Sequence, residues 1–273
     1  MLNGCSLYYK ISFRQENVFF HLILCWILDY LANFEKKSPM FSADPRTKIY
    51  NCDTCLFKII SCQYIEPDEF EKLRKASAQL RFKKGESILK QGARATHLAF
   101  LQKGIVKFFY EDEKGKSLIL TITQSPSLIG GANVFNESMN LFSVQAIEDC
   151  EVCMIDLVML KEIAMTNNQF LMKLLELVTG MFKESILNFI NLAHKQVNGR
   201  IADVILYLSG SVYRSQQFTL TLTRKELSEF AGCSTENVIH TLSRFHREGI
   251  LKVKGKSIEI TDPERLLRIS KVG

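Results

Sequence analysis

Residues 223–245 read TRKELSEFAGCSTENVIHTLSRF, and this stretch decides the C-terminal part of the fold. Thr223 followed three residues later by Glu226 is a capping box, so the spacing predicts a helix beginning there. Gly232 closes that helix, because the left-handed residue after a last turn is cheap only for glycine. Ser234 is a good N-cap for a second helix. In it Val238, Leu242 and Phe245 share a buried face, Glu236, Ile239, His240 and Ser243 the opposite one, and Gly249 ends it. Two short helices joined by a tight glycine turn make a helix-turn-helix, whose second helix can enter a DNA major groove. The competing reading is a plain helical hairpin with no ligand.

The next residues, 250–260, read ILKVKGKSIEI. Their apolar positions alternate, Gly255 makes the turn, and Lys254 and Lys256 sit at the tip. This is a hairpin wing suited to phosphate contact. From Thr223 to Gly273 ten Lys and Arg stand against seven Asp and Glu, so affinity must come from placement and pairing rather than bulk charge.

Upstream, from about Asn168 to Val197, the period is that of a long helix. Leu171, Leu175, Val178, Phe182, Ser185, Phe189 and Leu192 alternate four-three spacing, a heptad-like seam. Leu174, Leu177 and Met181 add a second stripe. One stripe can cover the chain's own domain while the other meets a partner helix; the alternative is a helix packed wholly on its own domain. Leu171, Leu175, Val178, Phe182 and Phe189 are the expected dimer contacts. Gly199 is expected to end this helix, with another running from Ile201 to Leu208.

Between Leu80 and Asp156 the text consists of short β-type runs: RFKKGESILKQG, HLAFLQKGIVKFFY, KGKSLILTIT, SLIGG and LFSVQAIEDCEVCMI. Gly85, Gly92, Gly104, Gly115 and Gly130 fall at turns. Short strands at such spacing predict a small antiparallel barrel or jelly roll, with no strand–helix alternation of the kind a parallel sheet needs.

The first residues do not match the rest. Val18 to Leu28, VFFHLILCWIL, is an apolar run too short for the roughly 20 residues that span a bilayer core. Well-patterned sequence begins after Pro39, so residues 1–39 are read as a doubtful leader lying upstream of a true start at Met40. A core-covering or membrane-apposed helix and a signal or anchor are the other readings. The expected domains are 1–39, this leader; 40–166, a cysteine-bearing segment and β-roll sensor; 167–198, the dimerisation helix; and 199–273, the winged helix-turn-helix.

The 273 residues suffice for about two domains. A hydrophobic share of 47% and a charged share of 23% argue against a disordered tail or fibre, and +6 is mildly basic. Eight cysteines are too sparse for a disulfide scaffold in a chain this long, which points to reduced thiols and a cytoplasmic, non-membrane protein. His21, His97, His194, His240 and His246 form no ligand pair, and no phosphate loop or nucleophile motif is present, so no enzymatic activity is expected.

A β-roll, a long helix and a winged helix-turn-helix, in that order, resemble the CRP/FNR family of bacterial transcription regulators over residues ~50–270. The motifs that carry the likeness are KKGESILKQG, LAFLQKGIVKFF, the long helix, and LTRKELSEFAGCSTENV with LSRFHREGILKVKGKSIEI. The fold implied is α+β: an N-terminal antiparallel, jelly-roll-like β-roll, a dimerisation helix and a C-terminal winged helix-turn-helix. The function implied is sequence-specific regulation of transcription by a homodimer on double-stranded DNA, with RNA polymerase as a partner, switched by an effector or redox signal sensed in the roll. The alternative is a cyclic-nucleotide-type sensor acting through protein partners without DNA.

The resemblance also frames the effector. The cyclic-nucleotide branch needs a carboxylate and an arginine–serine pair; here the glutamate position is Gly131, and the pair falls at Asn140 and Leu141. A phosphate buried without its guanidinium lacks a charge partner, so cyclic AMP in the usual mode is not expected. The oxygen-sensing FNR branch holds a 4Fe–4S cluster on three cysteines before the roll and a fourth inside it. Cys52, Cys55 and Cys62 precede the roll, and Cys153 in AIEDCEVCMI matches the fourth place. An extra residue between Cys55 and Cys62 departs from the pattern. The four are read as ligands of a cluster, as a zinc or thiol-redox site, or as chemically idle. Cys150, three residues from Cys153 on a strand, should face the other way.

On the DNA side the resemblance makes Glu236 and His240 the recognition positions, with Ile239 beside them. Glu236 can accept from a cytosine amino group and Ile239 can touch a thymine methyl. His240, where the family often has arginine, reads a base or faces a phosphate. Thr223, Arg224, Ser234, Thr235, Lys254 and Lys256 complete the DNA-facing set as backbone contacts.

Overall fold

The apolar text from His97 to Glu111 becomes two strands because Gly104, at φ +108, turns the chain between them. They belong to different sheets, so this glycine is the corner at which the chain leaves one layer of the roll for the other. The computed structural model describes residues 51–52, 55–61, 63–130 and 139–272. The doubtful leader 1–39, Cys62 and Gly131 lie outside the described residues.

Helices α1 (Leu56–Ser61) and α2 (Pro67–Ala76) precede the strands β1 (Ala78–Phe82), β2 (Ser87–Leu89), β3 (His97–Lys103), β4 (Ile105–Glu111), β5 (Ser117–Gln124), β6 (Ser127–Ile129), β7 (Ser143–Ala146) and β8 (Cys150–Asp156). Helices α3 (Leu157–Thr166), α4 (Asn168–His194) and α5 (Val197–Tyr207) follow, the last running into a π-turn at Leu208–Val212. Then come β9 (Gln217–Thr219), α6 (Arg224–Ala231), α7 (Thr235–Arg247), β10 (Leu251–Lys254), β11 (Ser257–Ile260) and α8 (Pro263–Val272).

Two four-stranded antiparallel sheets, β1-β8-β3-β6 and β2-β7-β4-β5, face each other as a roll. A third sheet, β10-β11-β9, belongs to the C-terminal part. The fold is the α+β arrangement read from the sequence.

Period-two alternation assigns each side chain to a layer. On β3, Ala99 and Leu101 point into the roll with Val106 and Phe108 of β4. Leu98 and Phe100 point the other way, packing with Phe57, Leu160, Phe170 and Leu174 under the helices. On β8, Cys150 and Val152 face inward, while Cys153 and Ile155 face the helical side, the opposition expected of the two cysteines. On the second sheet Ile105, Ile119 and Ile122 turn outward and join the core of the C-terminal part.

The long helix departs from expectation at its end. It stops at His194, with Lys195 extended (φ −98, ψ 147), whereas Gly199 is buried inside α5. No glycine or proline marks this break. Instead Lys195 Nζ reaches Asp203 Oδ2 at 2.5 Å, so a tertiary ion pair bridges the kink. No described helix is long and apolar enough to cross a membrane.

The corner at Gly104 can be probed. A Cβ there would stand 2.5 Å from Cys150 Sγ and 2.9 Å from the Asp149 carbonyl, whereas one at Gly85 (φ +90) would meet nothing within 4 Å. Gly85→Ala should cost only the backbone strain, about 1–2 kcal/mol. Gly104→Ala should lose about 1–3 kcal/mol more through overpacking. Urea unfolding measures both; equal losses would show that Cys150 simply moves aside.

Candidate nucleic-acid interface

The two helices form as the local chemistry dictates. Thr223 Oγ1 accepts from Glu226 N, and Glu226 Oε2 accepts from Thr223 N at 2.8 Å, completing the capping box. Gly232 adopts φ +58, and Ser234 Oγ accepts from Asn237 N to start α7. Arg200 donates to the Gly232 carbonyl at 2.9 Å, tying the turn to α5. Val238, Thr241, Leu242 and Phe245 are buried.

Glu236, Ile239, His240 and Ser243 lie exposed on the opposite face, with Ile239 49% exposed. An isoleucine so placed gains nothing from the core, which leaves it free for a partner. Its own backbone N–H and the Ser234 hydroxyl hold the Glu236 carboxyl below the usual range, so near neutrality it is an acceptor only. Thr235, by contrast, is half-buried and shares a 3.2 Å hydrogen bond with Ser228, bracing α7 against α6.

In the wing, Gly255 turns at φ +59 and leaves Lys254 and Lys256 exposed. Arg224 donates to the Gly255 carbonyl at 2.8 Å, and Val253 N donates to His246 Nδ1 at 3.3 Å. Two side chains therefore fix the wing to the helices. Sequence reading gave Arg224 to phosphate and His246 no role; neither bond has a local signature, since the partners are 31 and 7 residues away.

This unit docks on the roll. Lys107 of β4 and Glu226 of α6 form a 2.7 Å ion pair, with side chains only 11% and 19% exposed. Burial pushes the Glu226 carboxyl up, but Lys107 and the Thr223 donors outweigh it and hold it below its ordinary value. Tyr207 donates to the Ile122 carbonyl at 2.7 Å, and Asn188 to that of Leu120 at 3.0 Å. None of these was legible in a sequence window.

Along α4, Phe170, Leu174 and Val178 are buried against the roll, so Val178 is covered within its own chain. Leu171 and Leu175 are half-buried. Phe182, Ile186, Leu187, Phe189 and Ile190 are exposed, Phe189 to 70%. The cysteines before the roll meet amide donors: Gln79 Nε2 lies 3.3 Å from Cys52 Sγ, and Gln102 Nε2 lies 2.7 Å from Cys55 Sγ. Gln79 is in turn the cross-strand neighbour of Cys153. Among the described residues no group of three His, Cys, Asp or Glu side chains is placed to hold a metal. Burial pushes the Cys150 thiol up to about 11.

Comparison with known proteins supplies independent findings. A profile described as a cyclic nucleotide-binding domain matches residues 79–167, and one described as a Crp-like helix-turn-helix domain matches residues 199–269. The chain is 28% identical over 178 residues to the cAMP-activated global transcriptional regulator CRP of Salmonella typhimurium, covering 64% of this chain and 85% of that one. It is 26% identical over 192 residues to the transcriptional activator protein Anr of Pseudomonas protegens, covering 69% and 78%. The structure of FixK2 from Bradyrhizobium japonicum superposes with a TM-score of 0.66 at 20% identity, over 72% of this chain and 98% of that one, and shares the fold. The helix-turn-helix match sets aside a roll acting through protein partners alone.

The ion pair yields a measurable prediction. Lys107→Met leaves the Glu226 carboxylate largely buried without its partner, which should cost about 3 kcal/mol, the lower end for a broken buried pair. Because the folded carboxyl lies below 4.5, its contribution is complete above that pH and fades as pH falls through the folded value. Urea midpoints between pH 3 and 7 should therefore converge for wild type and Glu226→Gln at the acid end. Parallel curves would mean the pair stabilises nothing.

Proposed function

Because the chain belongs to the CRP/FNR family of DNA-binding transcriptional regulators, we propose that it works as a homodimer on a two-fold DNA site, under control of a signal received in the roll. The observation that carries this reading is the exposed face of Glu236, Ile239 and His240 on a doubly capped helix, beside a wing fixed by Arg224. The exposed apolar side chains of α4 from Phe182 to Ile190 supply the pairing surface, with Leu171 and Leu175 at its margin. Two reading helices are then presented to successive major-groove turns. Contact with RNA polymerase from the bound site completes the reading.

Glu236 reads a base, Ile239 a thymine methyl, and His240 a base or phosphate; Thr223, Ser234, Lys254 and Lys256 contact the backbone. Arg224 and Thr235 serve the same surface by holding the wing and α7 in place. Cyclic AMP in the family's usual mode is not part of this reading, because residues 128–142 contain no Lys, Arg or His to meet a phosphate.

A redox signal is a second reading, favoured by the amide donors at Cys52 and Cys55, since hydrogen bonds to sulfur tune iron–sulfur ligands. Cys52, Cys55 and Cys153 provide the thiol donor chemistry, but their described placement does not by itself close a site, and Cys62 is outside the described residues. A 4Fe–4S cluster on the four would supply an oxygen-labile link between the pre-roll segment and β8. Anaerobic purification with iron and sulfide analysis checks it: a colourless, iron-free protein that binds its operator in air removes the cluster and leaves the DNA reading standing.

Gel shifts test the DNA reading itself. Glu236→Ala should lower discrimination at one base position by about 1–3 kcal/mol. Equal weakening on all sequences would contradict base readout. Lys254→Ala with Lys256→Ala should weaken binding evenly and reduce the slope of log affinity against log salt by roughly 3–4 for a dimer. An unchanged slope would take the wing off the phosphates.

A further inference from the structure

Between the second sheet and α4 lies a cavity of about 220 Å³. Its walls are apolar side chains, among them Phe108 and Phe142, whose rings meet at 5.4 Å, with Leu128 and Phe182. Thr123, Ser127, Ser185 and Tyr207 add hydroxyls. No described lining residue carries a charge. An anion placed here would lose its hydration with no cation among the described lining residues to replace it.

The helix wall is opened by Gly180. Glycine in a helix interior is unfavourable, and within its own chain this one serves neither a left-handed backbone nor a close approach, since nothing described lies within 4 Å of a Cβ built on it. A dry cavity of 150 Å³ holds benzene, so this one has room for a fused pair of rings. Its occupant would also touch the C-terminal part. Tyr207 lines the cavity, donates to Ile122, and packs edge-on against Phe230 of α6 at 5.7 Å.

Building on the reading of the roll as the signal-receiving part, we infer that this cavity binds an uncharged, predominantly aromatic small molecule bearing a hydrogen-bonding group. Occupancy bears on α6 through Tyr207. Indole is a suitable probe, with benzoate and cyclic AMP as charged comparators, titrated calorimetrically into the full-length protein. Indole should bind at least tenfold more tightly than either comparator. Gly180→Leu, which fills the void, should weaken indole at least tenfold while circular dichroism and light scattering report the same helicity and oligomeric state. If Gly180→Leu alters pairing of α4, Thr123→Ile, which narrows the cavity from the sheet side, must reproduce the loss. Binding of a comparator in preference to indole, no binding of indole at millimolar concentration, or full indole affinity in both variants each overturns the inference. Any of these in a protein that still shifts two-fold DNA leaves the regulator reading intact. Indole binding in a protein indifferent to DNA would do the reverse.

Discussion

One carboxylate joins the two working halves of this protein. Glu226 gives one oxygen to the start of α6 and the other to Lys107 on the roll. The same atom group that permits the first helix of the reading motif to begin therefore fixes where that helix sits. Buried ion pairs are poor sources of net stability, because desolvation consumes most of the Coulombic gain. They are intolerant of misplacement, however, since a shift of the helix strands both charges. The pair is best understood as specifying a pose. Around it the apolar contacts of Ile105, Ile119 and Ile122 with the C-terminal core provide attraction without direction.

Lys107 occupies its place because of strand alternation. Its neighbours Val106 and Phe108 fill the roll, so Ile105, Lys107 and Phe109 are turned to the outer side. In a free-standing roll that side would be wet and a lysine there ordinary. The docked C-terminal part covers it, which makes a cation beside Glu226 necessary. The outer face of this sheet is thus written half for water and half for a neighbour, and the division shows only once both parts are in place.

That explains what could be read from the chain and what could not. The helix-turn-helix, its wing and the roll were legible because their signals are local: a capping box, N-caps, glycines at turns, and period-two or heptad spacing within one window. The end of α4 was misplaced at Gly199 because the real stop, at Lys195 and spanned by its pair with Asp203, carries no glycine or proline. Helices α1, α2, α3 and α8 went unread beside louder patterns. At the candidate interface, Glu236, Ile239 and His240 stood out by face, whereas Arg224, His246, Lys107 and Tyr207 act through partners brought close only by folding. Val178 obeyed the seam spacing yet is covered by its own roll, since a heptad does not say which body buries it.

The pleat of β8 has one more effect. Cys150 is sealed inside the roll, 2% exposed and with its thiol too weak an acid to ionise near neutrality, while Cys153 belongs to the helical side with Cys55. The sheet acts as a chemical partition one strand thick. Cys55 and Cys153 share the helical side, while the sulfur behind the wall is kept apart from them both by the sheet and by the burial that keeps it protonated.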